Sequence, residues 1–481
     1  MRRLLPLAML VAGALNATAA GRIIILNSDK PGVGFNESTA ATPIGGNMGT
    51  TIGQQRLNVF EEAARRWQNS LDIKVDVLVT ATFAPIPGCT DSEAVLGQAG
   101  PMYWKKDTDF AEAPKQHVWY PAALANNFAG RDLDLRSEIF AQFNADVDSA
   151  LCLSASDSDW YYGFDGNKGN DIDLFVVVLH ELAHGLGVAG KSGGSDFSEN
   201  RPAVFNTRML DLTSGLRWDQ MSAEQRRVSI TNTGNVVWDG EKVREHAKRF
   251  LLPITMLTVT QPAPVARNYD IGYAGFGPEA TAGSMSGRIV LAQDAANADG
   301  PSTTDGCTAL TNPDAISGNI ALIDRGGPAD PPCTFVKKAL HAQAAGARGV
   351  IIADNRKETC VPPGLGGTSA DVNIPVVSIT QDDGAALKAQ LTGNVQMAGL
   401  LRIDPSQLAG ASQEGYVRLY APCTAEPGSS TYHWDVVASP NLLMEPNVSS
   451  DLVHGLDLTL YQLLDMGWAL PARTGRTVLR R

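Results

Sequence analysis

The chain contains 481 residues, of which 44% are hydrophobic and 19% charged, so it can bury the cores of two or three domains. Its formal net charge is −12, and cationic residues occur only in short runs. Both features argue against nucleic-acid binding, and we expect no nucleic-acid partner.

Residues 1–20 have the composition of a secretory signal peptide. Arg2 and Arg3 precede an apolar stretch at 4–15, and small residues follow up to Ala20. The apolar stretch is too short to span a bilayer, and no later run is long enough either. We therefore expect no transmembrane segment and a secreted protein, either extracellular or periplasmic.

Three elements are predicted at the start of the mature chain. Residues 22–27 form an apolar strand, and residues 54–71 carry apolar side chains at helical spacing. Residues 73–83 alternate in the manner of a strand. Irregular loops follow, and then an apolar segment at 171–188 that is predicted to be a buried helix.

The segment "LHELAHGLGVAG" within that helix contains His180, Glu181 and His184. Histidines four residues apart share one helix face and can bind one metal ion, and the glutamate between them can act as a general base. Gly187 follows three residues later, as in the longer signature H-E-x-x-H-x-x-G-x-x-H. That signature requires a third histidine at the position of Gly190.

The third metal ligand is therefore open from local sequence alone. Asp196 is the nearest local candidate. A glutamate on a following helix, as in thermolysin-like enzymes, would be another solution. Glu199 and Glu224 lie downstream, but neither stands in the sequence context of that family.

A distant histidine, His433, stands in the segment "YHWDVVASPNLLMEP" with Trp434 and Met444. This segment resembles leishmanolysin-type metzincins, in which an insertion separates the second ligand from the third and a methionine turn follows. Residues 456–468 also resemble the closing helix of that family. The resemblance implies that His180, His184 and His433 bind one catalytic Zn²⁺ ion, and that Met444 lies beneath it.

The spacing of 249 residues from His184 to His433 exceeds the usual insertion of that family. Residues 256–405 contain "GNIALIDRGG", "CTFVKKALHAQAAGARGVIIADN" and "IPVVSITQDDGAALK", which resemble a protease-associated (PA) domain. Such domains are not catalytic, and the implied role is to bind substrate or a regulator. An inserted domain whose ends are close together would let His433 return to the other two histidines.

The fold class expected from these observations is α+β. A zincin or metzincin-like catalytic domain would comprise residues 21–255 and 406–470, interrupted by a β-rich α/β PA domain at 256–405. Residues 471–481 are predicted to be a loose basic tail.

Six cysteines in an exported chain favour disulfide bonds, although the sequence does not fix their pairing. The preferred pairs are Cys307 with Cys333, both flanking one strand of the inserted domain, and Cys89 with Cys152. The third pair follows by subtraction and is Cys360 with Cys423.

A polar cluster precedes the predicted metal-binding helix and is also a weak candidate for a Ca²⁺ site. Its positions do not match an EF-hand loop, which favours a solvated turn instead. The cluster comprises Asp165, Asn167, Asn170, Asp171 and Asp173.

The function predicted from the sequence is that of a secreted zinc metalloendopeptidase that hydrolyses peptide bonds in protein or peptide substrates. Glu181 would act as general base and then as general acid. The alternative is a secreted binding protein with an inactive zincin domain and a PA interaction module. Retention of Glu181 argues against that alternative, because a purely structural metal site has no use for a base.

Overall fold

A computed structural model describes residues 20–472, apart from short internal segments. The predicted signal peptide up to residue 19, the alternative ligand Asp196 and the basic tail beyond residue 472 lie outside the described residues. The chain divides into two compact units, residues 1–187 with 466–481 and residues 188–465. The internal segments not described are 92, 150–151, 155–157, 192–196, 299, 327–332, 357–359, 368, 392–395 and 450–451.

The first unit is built on a four-stranded sheet in the order β1-β2-β6-β3. The first three strands are parallel, and β3 pairs antiparallel with β6 at one edge. The strands of the whole first unit, including two further two-stranded sheets (β4-β5 and β7-β8), are β1 (Ile23–Asn27), β2 (Val77–Ala84), β3 (Gly97–Pro101), β4 (Trp104–Lys106), β5 (Trp119–Pro121), β6 (Ile139–Asn144), β7 (Trp160–Tyr161) and β8 (Ile172–Asp173). Its helices are α1 (Ile52–Ser70), α2 (Ala122–Ala129) and α3 (Leu174–Leu186).

Helix α3 packs against α1 and against strands β3 and β6. The Trp67 indole of α1 is fully buried and donates a hydrogen bond to the Leu179 carbonyl at 3.0 Å. An ideal Cβ on Gly185 would lie 2.5 Å from a methyl group of Ile139 on β6. A glycine at this position therefore lets the helix backbone approach the sheet closely.

The second unit contains two sheets and six α-helices among its described residues. The strands are β9 (Met209–Asp211), β10 (Leu216–Arg217), β11 (Val236–Trp238), β12 (Pro253–Gln261), β13 (Arg267–Tyr269), β14 (Gly272–Tyr273), β15 (Ser286–Leu291), β16 (Ile320–Asp324), β17 (Gly349–Ala353), β18 (Val376–Ile379) and β19 (Ala398–Leu408). The helices are α4 (Ala223–Ser229), α5 (Glu241–Phe250), α6 (Pro313–Ile316), α7 (Phe335–Ala344), α8 (Gln381–Leu391) and α9 (Asp457–Met466).

Eight of these strands form one sheet in the order β13-β12-β19-β15-β16-β17-β18-β14. Its two edge strands, β13 and β14, are separated in the chain only by Asp270 and Ile271, so the sheet curls back on itself in the manner of a barrel. Two clusters of buried apolar side chains line this sheet. We call residues 253–408, which contain all eight strands, the barrel block.

The barrel block begins and ends at one place. Strand β12 pairs antiparallel with β19 so that Pro253 lies opposite Leu408. Just outside the sheet, the Ala409 amide donates to the Leu252 carbonyl at 2.9 Å. Close ends are what an inserted domain requires, and the sheet extends a few residues beyond each end of the predicted 256–405.

The six cysteines form three disulfide bonds, Cys89–Cys152, Cys307–Cys333 and Cys360–Cys423. These are the pairs preferred from the sequence, and they are typical of proteins from oxidising compartments. No helix in the described part of the chain has the length and apolar character needed to cross a membrane.

Most predicted elements lie close to the observed ones, and the clearest difference is at the second strand. The predicted strand 73–83 begins only at Val77. Ile73 accepts a hydrogen bond from the Gly21 amide, and the Lys74 amide donates to the Asn127 side chain. These tertiary contacts replace the first rungs of the parallel ladder.

Candidate metal centre

Helix α3 begins at a side-chain cap and is buried on nearly every face. Asp173 accepts a hydrogen bond from the Phe175 amide at 3.0 Å, which satisfies one free donor of the first turn. The valines at 176–178 would favour a strand by propensity alone. Their complete burial in the interior of the unit shows that packing overrides that preference.

The helix places His180 and His184 on one face, with their ring centroids 4.9 Å apart. Glu181, which lies between them in the sequence, is buried next to the edge strand β3, where an ideal Cβ on Gly97 would lie 3.1 Å from Glu181 Cγ. Burial raises the pKa of Glu181 to about 8, and a hydrogen bond from the Ala99 backbone amide opposes this shift.

Gly187 ends the helix with φ of 139°, a conformation that favours glycine. Its amide donates to the Ala183 and His184 carbonyls, which closes the last turn. Three residues later, an ideal Cβ on Gly190 would collide with the hydroxyl oxygen of Tyr432. The position of the third histidine in the signature H-E-x-x-H-x-x-G-x-x-H therefore has no room for a side chain in this chain.

The other downstream acids lie in exposed settings. Glu199 is exposed in a short helical turn and has φ of 55°. Glu224 lies in the first turn of α4 and forms an exposed ion pair with Arg227. Neither belongs to a group of possible metal ligands among the described residues.

His433 is buried, and its Nδ1 lies 2.7 Å from the Ser429 carbonyl oxygen. Because a carbonyl oxygen can only accept, Nδ1 carries the proton, and Nε2 of the neutral ring keeps its lone pair. The next residue, Trp434, donates its amide hydrogen to the Met444 carbonyl at 2.7 Å. Met444 is fully buried.

The candidate ligand atoms of His180, His184 and His433 all lie within 4.8 Å of one another. This is the one group of at least three possible metal ligands found among the described residues. Three imidazoles with no carboxylate or thiolate form a donor set that suits zinc and leaves a further coordination position open.

Two further histidines belong to other environments. His246 stacks on Tyr461 with ring centroids 3.8 Å apart, and its Nδ1 lies 2.9 Å from the Lys242 carbonyl. His341 lies in the barrel block with Nδ1 2.8 Å from the Gly306 carbonyl. Both histidines are half-buried.

Two polar residues near His433 were not assigned from the sequence. Asp435 is buried, and burial raises its pKa to about 6 against the opposing charge of Arg418. Asp457 begins helix α9 and also bonds to the Leu443 amide. The only sequence signal for Asp457 is its helix-capping residue type just before an apolar run.

The polar cluster before α3 uses its side chains within the protein. Asp173 caps the helix, Asp171 accepts from the Asp159 amide at 3.2 Å, and Asp165 accepts from Tyr161 and from the Asn167 amide. This hydrogen bonding is that of a structured turn before the helix.

A family model for the PA domain matches residues 262–387, inside the predicted 256–405. The chain contains a PA domain. This confirms the module inferred from the sequence, and the matched residues lie within the barrel block.

Several curated proteins share a similar segment with the chain. Aminopeptidase YwaD of Bacillus subtilis is 40% identical over 126 residues, which cover 24% of this chain and 26% of that protein. Signal peptide peptidase-like 2 of Arabidopsis thaliana is 36% identical over 101 residues (20% and 17%). Vacuolar-sorting receptor 1 of Pisum sativum is 31% identical over 152 residues (30% and 23%). The chain thus spans about a quarter or less of these relatives, whose names describe different activities.

Among solved structures, a zinc aminopeptidase from Bacillus subtilis is similar with a TM-score of 0.20 and 24% identity, covering 38% of each chain. The peptidase M28 precursor from Shewanella amazonensis SB2B has a TM-score of 0.23 and 16% identity, covering 47% of this chain and 50% of that one. TM-scores this low do not establish a shared fold for the whole chain.

Proposed function

We propose that the protein is a secreted, zinc-dependent endopeptidase of the metzincin type, similar to leishmanolysin and carrying an inserted PA domain. The observation that supports this most directly is the three-histidine group, two of whose members flank Glu181 on one helix turn. One relative, aminopeptidase YwaD, is a peptidase by name, although the shared segment covers only 26% of it.

His180, His184 and His433 would hold the ion. The hydrogen bond from His433 Nδ1 to the Ser429 carbonyl fixes the tautomer that presents Nε2, as is usual for metal-binding histidines. Buried Met444 would form an apolar floor below the ligands. Zinc in this position would polarise the scissile carbonyl and make a water molecule more acidic.

Glu181 would accept the proton of the attacking water and deliver it to the leaving amine. The Ala99 amide donates to its carboxylate and so keeps the group beside β3. A nearby dication would favour the ionised form and draw the pKa of Glu181 below about 8, so that the carboxylate could act as a base near neutral pH.

Strand β3 offers a place for the substrate backbone. It pairs only with β6 among the described strands. On its other edge the Ala99 amide bonds to Glu181, so an extended peptide would pair with the remaining backbone groups of that edge. Its sequence, Gly97-Gln98-Ala99-Gly100-Pro101, is rich in small residues and runs beside Glu181. An open edge accepts a chain that continues in both directions, which is why we favour cleavage within a chain over removal of terminal residues.

The inserted PA domain would act outside the chemistry, by binding substrate or a regulator. The three disulfide bonds agree with export to an oxidising compartment.

The test combines zinc content with cleavage of an internally quenched peptide that is blocked at both ends. Glu181→Gln should keep one zinc per chain and lower kcat by at least about 100-fold, because the base is lost while the ligands remain. His433→Ala should lose zinc and activity. His341→Ala, a half-buried histidine of the barrel block, should retain both and serves as the matched control.

Three results would contradict the proposal. Retention of zinc in His433→Ala would mean that the third ligand is another residue. Cleavage of a peptide with a free amino terminus, but not of the blocked one, would favour an aminopeptidase. Zinc binding without any cleavage would favour the secreted binding protein.

A further inference from the structure

Asp457 is shared between the start of helix α9 and the turn at residues 442–445, which contains Met444 and which we call the methionine turn. One carboxylate oxygen, Oδ1, accepts from the Thr459 amide and from the Thr459 hydroxyl, each at 2.9 Å. The other oxygen, Oδ2, accepts from the Leu443 amide, next to Met444. Asp457 has φ of 33°, a left-handed conformation that is uncommon outside glycine, asparagine and aspartate.

The same pair of residues reaches the segment that carries His433. The hydroxyl oxygen of Thr459 accepts from the Trp434 indole at 3.4 Å, and the Trp434 amide donates to the Met444 carbonyl at 2.7 Å. The side chains of Trp434, Met444 and Thr459 are all fully buried. The hydrogen bonds therefore close a ring from Asp457 through the methionine turn to Trp434, and back through Thr459.

We propose that Asp457 and Thr459 are positioning residues for the third zinc ligand. Thr459 holds the indole of Trp434 directly, and Asp457 holds its amide indirectly, through Leu443 and the carbonyl of Met444. Trp434 is the residue next to His433. With the imidazole itself tied to Ser429, few rotations remain to the ring before the ion binds. Ligands held in this way cost less entropy on binding, so zinc binds more tightly. This inference rests on the proposed function, since it requires that His433 bind zinc.

Helix capping alone does not account for this geometry. A cap needs one oxygen directed at an amide of the first turn, and the Thr459 amide satisfies that need. The second oxygen bonds outside the helix, to Leu443. The left-handed backbone of Asp457 is a strained conformation of the kind that persists only where its surroundings require it.

The test uses substitutions that keep the cap and remove the bridge. Asn at position 457 tolerates a positive φ and caps a helix well, but it has only one accepting oxygen. Thr459→Val removes the hydroxyl at nearly constant volume, and Thr459→Ser restores it. We expect Asp457→Asn and Thr459→Val to weaken zinc binding by about 10- to 100-fold, and Thr459→Ser to stay near the wild type.

Zinc affinity is measured by chelator competition on the full chain, at a temperature at which circular dichroism shows every variant to be folded. Asp294→Asn is the matched control, because Asp294 is a buried acid of the barrel block that accepts from the Thr308 amide and hydroxyl. It should leave zinc affinity unchanged. If Asp457→Asn does not fold, the comparison of Thr459→Val with Thr459→Ser decides the question.

The possible failures are distinguishable. If His433→Ala binds zinc as tightly as the wild type, the proposed function fails. If His433→Ala loses zinc while Asp457→Asn and Thr459→Val bind within twofold of the wild type, only the positioning role is overturned. An equal loss of affinity in Asp294→Asn would assign the effect to general destabilisation and would also overturn the positioning role.

Discussion

The barrel block and helix α3 differ in what they reveal, since the first identifies a domain family and the second contains candidate catalytic residues. The barrel block contains the residues that match a known domain family, and it forms an eight-stranded sheet with two apolar clusters. Helix α3 has only 13 residues and lies outside the matched range, yet it carries His180, Glu181 and His184. The part of the molecule that is easiest to recognise is therefore not the part that suggests a reaction.

The difference has a physical basis. A barrel is defined by many apolar positions, each of which contributes a little, so its pattern survives in proteins with different activities. A metal centre depends on a few polar residues whose types and spacing are dictated by the ion. Similarity in the barrel block thus identifies a module, and function must be argued from the histidines.

The largest effect should come from separating the barrel block from the rest of the chain, because only one of the two parts should then bind zinc. Because the Ala409 amide bonds to the Leu252 carbonyl, a short Gly-Ser linker can replace residues 253–408. With Cys423→Ser to remove the unpaired thiol, this shortened chain should keep one zinc per molecule by metal analysis. The isolated barrel block should fold cooperatively and hold none. Zinc in the isolated block, or its loss from a folded shortened chain, would contradict the assignment of the two roles.

Removing the disulfide bond Cys360–Cys423, which links the barrel block to the chain that follows it, should have the next largest effect, a loss of stability. Cys360–Cys423 and Cys89–Cys152 span the same sequence separation of 63 residues. In the chain-entropy account, each bond lowers the entropy of the unfolded chain and so stabilises the folded protein by about 4 kcal/mol. The double serine variants of either pair should therefore lose similar free energies of unfolding in urea titrations. A loss confined to one pair would show that native-state strain or residual structure outweighs loop length.

Completing the signature H-E-x-x-H-x-x-G-x-x-H with a histidine at position 190 should destabilise the protein. In Gly190→His, the new side chain would collide with the Tyr432 hydroxyl, and overpacking of this kind costs about 1–3 kcal/mol. The free energy of unfolding should fall accordingly, measured beside Ala189→Ser as a mild neighbouring control. The double variant Gly190→His with His433→Ala should not recover zinc. Recovery would show that a local third ligand is accessible after all.

The sequence predicted most of the elements for which local periodicity is strong. Helix α1 was expected at 54–71 and spans Ile52–Ser70, and the strand expected at 22–27 is present as β1, Ile23–Asn27. The start of β2 was missed because Ile73 and Lys74 bond to residues that are remote in the chain. Local patterns contain no information on such partners.

The candidate site shows the same limit. The spacing of His180 and His184 follows from helix geometry alone. His433 was inferred only through resemblance, because no periodicity relates residues so far apart. The roles of Asp457 and Tyr432 could not be predicted, since each depends on which backbone atoms lie opposite the side chain.

The smallest expected effect tests the barrel block alone, through Lys338. Its side chain is fully buried, with the ammonium group bonded to the Asp305 carbonyl and 3.2 Å from Cys307 Sγ. Burial lowers the pKa of Lys338 to about 8, against the opposing charges of nearby aspartates. In the unfolded chain, a lysine has its ordinary pKa of about 10.4.

Between these two pKa values, the unfolded state binds more protons than the folded state, so the stability of the barrel block should rise with pH. The slope for one group is at most about 1.4 kcal/mol per pH unit, and it should vanish below about pH 8. Urea unfolding at pH 7, 8, 9 and 10 measures it. Lys338→Met should abolish this part of the pH dependence, whereas Lys388→Met, which changes a partly exposed lysine paired with Asp324, should retain it. Equal slopes in the wild type and Lys338→Met would mean that the buried ammonium does not limit the stability of the block.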